Sequence, residues 1–428
     1  MHPGPAAAVA VLLILAAAAA RADDAEGAWT SRGELGLEGR AFRDDDNPVT
    51  IDHGFGMFGR LEADHRHGRF EEKGRGFGRL DAFDRERTTF VAEELWAQVQ
   101  GERLHLRLGM DIVNWSALEA FHPVDIINAR NLDSDLENLE KVGEPMAALQ
   151  VQPFENTSVT AMFMPVYMKT LFPSPRSRLS FGPAGVDLRN ARLLLDRSGA
   201  LTDRDFGPQG AVQVRQVVRS ADLTLHALEN MDRLEPLALA DPTTGSISLL
   251  FQTVRQVGGT YQQVFGPLVA KFEGAYRWFV PPNTASVAQI GPLPSLNHGV
   301  VAAGLEYGLA HANGSQSTFL LEGETVLGLT EAERRALTPF QRDVFAGIRF
   351  AQNDEAGREA VLATIVDLDR WGEYLVTAAY RQRIGETWTV NLGLRIFQAP
   401  TVLPPLQATG LELLRNGDHV RFSLMRHF

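Results

Sequence analysis

Hydrophobic and polar residues alternate along most of this chain with a period of two. In the last ten residues, HVRFSLMRHF, the apolar side chains fall mainly on one face of an extended chain and the polar ones on the other. Successive side chains of a β-strand point to opposite faces, so this alternation predicts a strand with one apolar and one wetted surface. About eighteen segments share it, each near the 9–11 residues that a tilted strand needs to cross a bilayer: 29–42, 51–65, 74–87, 90–100, 103–110, 146–151, 159–163, 212–219, 221–230, 254–264, 268–278, 300–309, 317–325, 344–351, 360–367, 374–382, 388–396 and 419–428.

Short turns alternate with long connections between these segments. Gly101-Glu102 and Gly385-Glu386 are short hairpin signals, whereas the long connections are 112–144, 167–208, 231–245, 280–296, 328–342 and 398–416. With an even strand count, every long connection falls at the same end of the sheet. A soluble β-sandwich or propeller does not require that asymmetry. The pattern predicts an all-β fold: a transmembrane antiparallel β-barrel of about 18 strands, with 16 as the alternative, long outer loops and one loop folded toward the lumen.

Arginines recur on the polar faces of the predicted strands. In a membrane barrel that face lines a water-filled lumen, where charge stays hydrated, so these arginines are predicted to line a pore. The set is Arg40, Arg60, Arg79, Arg107, Arg277, Arg349, Arg381, Arg395 and Arg421.

The amino-terminal residues 1–22 read as a secretory signal peptide. An apolar run from Ala6 to Ala20 precedes the small-x-small pattern Ala20-Arg21-Ala22, which predicts cleavage after Ala22, although the first residues carry no Lys or Arg. The run is too short to span a bilayer as a helix. The remaining residues, 23–428, are predicted to form one barrel domain. The chain has no cysteine, which is compatible with a barrel that closes its own edges.

Charge narrows the possible partners. The net charge of −12 argues against nucleic-acid binding, because phosphate contacts need a basic face. Only four of the 41 basic residues are lysines, so positive charge is supplied mainly by planar guanidinium groups. No cofactor and no metal site are expected.

The connection 112–144 breaks the period-two pattern. It mixes apolar residues such as Trp115, Phe121 and Ile126 with several acids, so it is expected to pack rather than extend into solvent. One hypothesis is that it folds into the barrel mouth and forms a constriction, with its acids facing the wall arginines across a transverse field. The alternative is a surface loop whose acids keep the outer face hydrated. The candidate constriction residues are Asp125, Asn128, Asp133, Asp135, Glu137 and Glu140.

A further pattern consists of Val124 to Asn128, Leu132, Glu140, Lys141, Gly143, Pro145 and Met146. It resembles a segment of an uncharacterised porin-like family of proteobacterial outer-membrane barrels. Three positions, Ala129, Arg130 and Asn131, depart from the family pattern, which leaves a ligand role there open. Phe163-Met164-Pro165, Phe172-Pro173, 176–179 and 337–341 with Asp343 resemble further family segments. The resemblance implies a barrel in the outer membrane of a Gram-negative bacterium, and it carries no substrate.

These observations predict a porin-like channel for passive or weakly selective passage of small polar or charged solutes, and not an enzyme. Expected partners are outer-membrane lipid and those solutes. The closing strand resembles that of outer-membrane barrels, which implies recognition of its terminal Phe428 by the barrel-insertion machinery. The alternatives are a barrel enzyme of the lipase or protease type, for which His105, His226 and His298 are candidates by residue type alone, or a closed adhesion or scaffold barrel.

Three smaller features bear on metal binding or local structure. Thr330 with Glu333 forms a capping-box pattern and predicts a short helix, 331–337, in an outer loop. Asp44-Asp45-Asp46 lacks the spacing of a calcium loop, and His65 with His67 lacks a third ligand. Both are interpreted as ordinary loop and turn residues.

Overall fold

The computed structural model describes residues 29–43, 47–133, 140–180, 186–189, 192–234, 236–240, 247–294, 296–400 and 410–428. Within these ranges, eighteen antiparallel strands form the wall of a barrel. They are β1 Trp29–Phe42, β2 His53–His67, β3 Phe70–Asp81, β4 Thr89–Gln100, β5 Leu104–Asp111, β6 Glu144–Phe154, β7 Thr157–Val166, β8 Phe206–Val218, β9 Ala221–Met231, β10 Ile247–Phe265, β11 Leu268–Phe279, β12 His298–Ala310, β13 Gln316–Leu327, β14 Arg342–Ala351, β15 Glu359–Asp367, β16 Tyr374–Ile384, β17 Trp388–Gln398 and β18 His419–His427.

The barrel closes where the last strand pairs with the first. Strand β18 runs antiparallel to β1 from Phe42↔His419 to Glu34↔His427. The terminal residue completes the seam, because the Gly33 and Phe428 backbones exchange two hydrogen bonds of 2.8 and 3.0 Å. No strand edge is left open at this seam, as a membrane-spanning sheet requires. The predicted fold class and the count of 18 strands are confirmed.

Apolar side chains cover the outside of the barrel. In β5, Leu104 and Leu108 are 51% and 52% exposed, and in β18, Val420 is 52% exposed. In these two strands the intervening residues, such as Arg107 and Arg421, point inward and are mostly polar. The exposed apolar outer surface is the reverse of a soluble protein's and is the surface that a transmembrane barrel presents to lipid.

One predicted strand is displaced along the chain. The segment 74–87 was predicted to be extended, but the strand runs over Phe70–Asp81 and is followed by a 3-10 turn, Arg85–Arg87. The reason is a tighter hairpin: Gly68 takes a positive φ of 58°, which glycine adopts at no steric cost, so β3 starts early. At the other end, the side chain of Asp84 accepts a hydrogen bond from the Glu86 N–H and caps the turn.

The outer connections carry the described helices, α1 Thr284–Ile290 and α2 Glu331–Leu337. The predicted capping box of α2 is confirmed, since Thr330 and Glu333 exchange side-chain and backbone hydrogen bonds. Short strands Arg192–Leu195, Leu201–Thr202 and Leu237–Ala240 lie in the outer loops, and the first and third of these extend the sheet beside β10. Over the part of the chain that the structure describes, no helix combines the length and the apolar character needed to cross a bilayer.

Candidate functional site: the loop inside the barrel

The connection between β5 and β6, residues 112–143, is called here the lumenal loop. Its described residues, 112–133 and 140–143, fold into the barrel, as the first of the two hypotheses about this connection requires. Its centre is fully buried: Val124, Ile126, Ile127 and Ala129 have no exposed surface. One apolar cluster joins it to inward-facing residues of β6–β11, and a second joins Leu118 and Phe121 to those of β12–β17. The loop therefore contacts opposite parts of the wall.

Backbone carbonyls of the loop are held by polar side chains of the wall. The Asn230 amide donates to the Ile126 carbonyl at 2.9 Å, the Gln256 amide to Val124 at 3.0 Å and the Arg277 guanidinium to Pro123 at 2.8 Å. These donors belong to the neighbouring strands β9, β10 and β11. A buried carbonyl left unpaired would cost free energy, so each contact fixes the path of the loop.

Two wall glutamates bind backbone N–H groups of the same loop. Oε1 of Glu273 accepts hydrogen bonds from the Ser116 hydroxyl at 2.6 Å and from the N–H groups of Ala117 and Leu118 at 2.5 and 3.0 Å. The Glu322 carboxylate accepts from the N–H groups of Glu119 and Ala120 at 2.8 and 2.9 Å. These contacts hold residues 116–120 to strands β11 and β13.

Asn128 joins the two ends of the loop. Its side-chain oxygen accepts from the Val113 N–H at 2.8 Å, and its amide nitrogen donates to the carbonyls of Asp111 and Val142, each at 3.0 Å. Its side chain is fully buried. Asn128 therefore braces the loop internally, and its side chain has no exposed surface.

Asp133 contacts three arginines. Two of them are on the wall strands β1 and β3, and the third is in the 3-10 turn that follows β3. Its carboxylate lies 2.6 Å from Arg87 Nε, 3.4 Å from Arg79 Nη1 and 3.5 Å from Arg40 Nη1. Burial opposes ionisation of Asp133, but the guanidinium groups of Arg87, Arg40 and Arg79 outweigh it and lower the pKa. The carboxylate thus stays charged and holds the tip of the loop against β1 and β3.

The other predicted constriction acids have different partners. Asp125 pairs with Lys141 and Arg130 of the loop itself rather than with the wall. Glu140 lies 3.2 Å from Arg60 Nη2, so it faces a wall arginine as the hypothesis requires. Asp135 and Glu137 lie outside the described residues, as do residues 1–22 and Asp44 to Asp46.

The predicted pore-lining arginines fall into two groups. The first group contacts carboxylate, amide or carbonyl oxygens of the loop or wall and consists of Arg40, Arg60, Arg79, Arg107 and Arg277. In the second group, on β14 and β16–β18, Arg349 Nη2 lies 3.8 Å from Glu119, Arg381 is exposed, Arg421 is half-buried and Arg395 is buried. All nine lie on the strand face opposite the outward apolar residues.

Sequence reasoning missed the residues that tether the loop. Glu273, Glu322, Asn230 and Gln256 each occupy an inward position on a predicted strand, and nothing in the local pattern distinguishes them from other inward polar residues. It also missed Arg233, whose guanidinium donates to Asn230 Oδ1 at 2.6 Å and to Glu144 Oε1 at 2.5 Å. The signal that could have found them is long-range contact information, which one sequence does not contain.

Among the described residues, the contacts of His122, His226 and His298 do not form a catalytic arrangement. His226 contacts Gln256 at 2.9 Å, and His298 contacts the Leu296 carbonyl at 2.6 Å. His122 Nδ1 lies 2.7 Å from Ser116 Oγ, but the nearby carboxylate, Glu273, contacts the serine and not the histidine. In a Ser-His-Asp triad the acid orients the histidine. Across the described ranges, no group of three or more His, Asp or Glu side chains is placed to hold a metal ion.

The burial of His122 predicts that the docking of the loop depends on pH. Burial lowers its pKa to about 4, and the attraction of Asp125 only partly offsets this. A histidine released into water titrates near 6.5, so between about pH 6.5 and 4 the released loop binds more protons than the docked loop. We expect loop docking to weaken as pH falls through this window; in the channel proposed below, this appears as rising conductance or open-channel noise. His122→Gln should reduce that change, and identical pH profiles for the two proteins would refute the assignment.

Solved structures share this fold. The chain aligns with OccK9 (OpdG) of Pseudomonas aeruginosa at a TM-score of 0.53 and 10% identity, over 93% of this chain and 97% of that one. It aligns with OccK3 (OpdO) of the same organism at 0.52 and 9% identity, over 93% and 95%. Acinetobacter baumannii OccAB1 gives 0.50 and 9% identity, over 93% and 96%. No protein-family model and no curated protein sequence matches the chain. At this identity, the structural similarity establishes the barrel fold alone.

Proposed function

We propose that this protein is a channel of the Gram-negative outer membrane for passive or weakly selective passage of small polar or charged solutes. In this proposal residues 1–22 direct export and are removed after Ala22, and the insertion machinery recognises the strand that ends at Phe428. Support comes from the closed barrel with an apolar exterior and a charged interior. The similarity in fold to the Occ barrels is compatible with it.

The observation that carries the proposal is the lumenal loop itself. A loop hydrogen-bonded to the inner wall, with charged residues along its course, would narrow the aqueous cross-section of the barrel. On β16–β18, Arg381, Arg395 and Arg421 face inward on adjacent strands. This basic wall would attract the anionic parts of passing solutes.

Planar-bilayer recording on the refolded full chain tests the channel directly. We expect discrete, ohmic conductance steps from protein that shows the heat-modifiable migration of a folded barrel. Folded protein that gives no steps would contradict the channel and favour an adhesion or scaffold barrel. Ester hydrolysis by the same sample, lost in Ser116→Ala, would instead favour the enzyme alternative.

Arg381 provides a test of pore lining, because it is exposed on the inward face of β16. We expect Arg381→Glu to raise the cation-to-anion permeability ratio roughly twofold or more, since it reverses one charge inside the pore. Reversal potentials in a KCl gradient measure the ratio. Arg204→Glu, which changes the same charge on an exposed outer loop, is the control and should leave it near the wild-type value. Equal shifts in both variants would place Arg381 outside the conduction path.

A further inference from the structure

A groove lies on the outward face of β12–β14, toward the outer rim of the barrel. Its floor consists of small side chains that strand pairing places side by side: Ala303 pairs with Gly323, Val301 with Thr325, and Gly323 with Val344. The groove has a volume of 560 Å³. That volume is within the range of about 300–1,000 Å³ typical of sites for small ligands.

Large apolar and aromatic residues border this floor. Phe272, Leu327 and Leu368 line the groove and are 47%, 49% and 44% exposed. On the adjacent strand β11, the outward rings of Tyr276 and Trp278 lie 4.7 Å apart. Tyrosine and tryptophan collect where a membrane meets water, so the groove extends from the hydrocarbon region toward the headgroup level.

The upper end of the groove is basic. Arg342 points outward with its side chain 55% exposed, and its Nη1 lies 3.6 Å from Asp369 Oδ1. Arg334 Nη2 lies 2.6 Å from Asp369 Oδ2. One carboxylate, with only 3% of its side chain exposed, therefore faces two guanidinium groups. A positive charge remains at the point where an apolar surface gives way to water.

We propose that this groove binds a phosphate-bearing, acylated lipid of the outer leaflet, with an acyl chain on the small-residue floor and a phosphate at Arg342. Arginine binds phosphate through a planar pair of N–H donors, and the net positive charge complements an anionic headgroup. A second copy of this chain is a poorer fit, because a symmetric contact would bring two exposed arginines together. The proposal rests on the outer-membrane location and is independent of whether the barrel conducts.

Native mass spectrometry of the refolded full chain tests lipid binding. The protein is incubated in detergent with lipid A, with enzymatically dephosphorylated lipid A, or with inorganic phosphate. We expect one lipid A to stay bound, with retention of the dephosphorylated lipid reduced about tenfold, as loss of a charged hydrogen bond implies. Inorganic phosphate should not be retained, because it lacks the acyl chain. Equal retention of both lipids would overturn the role of Arg342.

Two variants test the phosphate contact and the acyl-chain contact separately. Arg342→Gln should reduce lipid A retention about tenfold. Gly323→Leu should fill the groove, and a Cβ there meets only the Asp343 carbonyl oxygen, at 3.7 Å, so the strand should fold normally. The controls are Arg43→Gln, an exposed arginine 3.9 Å from its carboxylate partner, and Gly39→Leu, another barrel-wall glycine whose Cβ would meet nothing within 4 Å.

The outcomes distinguish the occupants of the groove. Loss of lipid A in both groove variants but in neither control supports the proposal. Wild-type retention in Gly323→Leu would overturn it. Light scattering that shows an oligomer dissociated by Gly323→Leu would assign the groove to a second copy of the chain. Conductance is recorded on the same samples. Lipid retention without conductance would contradict only the channel, and conductance without lipid retention would contradict only the lipid site.

Discussion

Replacing Asn131–Glu140 with two glycines is expected to raise single-channel conductance roughly twofold or more, because the segment carries the part of the lumenal loop that reaches the first strands of the wall. The residues on either side of the deleted segment are close enough to be joined by two glycines. Arg130 pairs with Lys141, and Val142 donates to the Ala129 carbonyl at 2.9 Å, so the chain on either side already lies together. The rest of the loop should stay docked through Glu273 and Glu322.

The control for this deletion is removal of α2, Glu331–Leu337, from another outer loop. Its described contacts are with rim residues such as Leu329 and Asp369. It should leave conductance within the wild-type range. Asp133→Asn is the intermediate variant, because it keeps the length of the loop and removes the charge that three arginines face. Unchanged conductance in the deletion, with a folded barrel, would remove the loop from the constriction.

The barrel could be predicted from sequence because its pattern is local. Odd- and even-numbered residues of a strand point to opposite faces of the sheet. Alternation of apolar and polar residues over a short segment therefore indicates which residues face lipid and which face the lumen. The first strand was predicted with the bounds observed, Trp29–Phe42, and the β11 segment 268–278 differs from Leu268–Phe279 by one residue. Because all long connections lie at one end of the barrel, the strand count was predicted to be even. An even number of strands returns the chain to its starting side, which allows the last strand to pair with the first.

The tethers of the lumenal loop could not be predicted in this way. The Asn230 contact with Ile126 spans 104 residues and the Glu322 contact with Glu119 spans 203, so no local pattern links them. The constriction hypothesis placed the acids of the loop opposite wall arginines, and the distances between them could not be predicted from sequence. Asp133 contacts its arginines directly, because three nearby guanidinium groups stabilise one buried carboxylate more than separated charges in water would.

Arg233→Met is expected to destabilise the folded barrel by about 3–5 kcal/mol, because it leaves Glu144 as an uncompensated charge. Neither side chain of this pair has exposed surface, and Nη2 of Arg233 lies 2.5 Å from Glu144 Oε1. The same guanidinium also donates to Gln209 at 3.2 Å and lies over the Tyr167 ring at 5.0 Å. It therefore joins strands β6, β8 and β9 at the outer end of the barrel.

Urea unfolding of the refolded protein in lipid vesicles measures this effect, with Arg215→Met as the control. Arg215 pairs with Asp222 at 2.5 Å, but the two side chains are 55% and 33% exposed, so its loss should cost at most about 1 kcal/mol. Adding Glu144→Gln to Arg233→Met should restore part of the stability, because no buried charge then remains. Since Arg233 also holds Asn230, which binds the Ile126 carbonyl, its loss should increase open-channel noise as the loop loosens. Equal costs for Arg233→Met and Arg215→Met would show that the buried pair does not hold this part of the wall together.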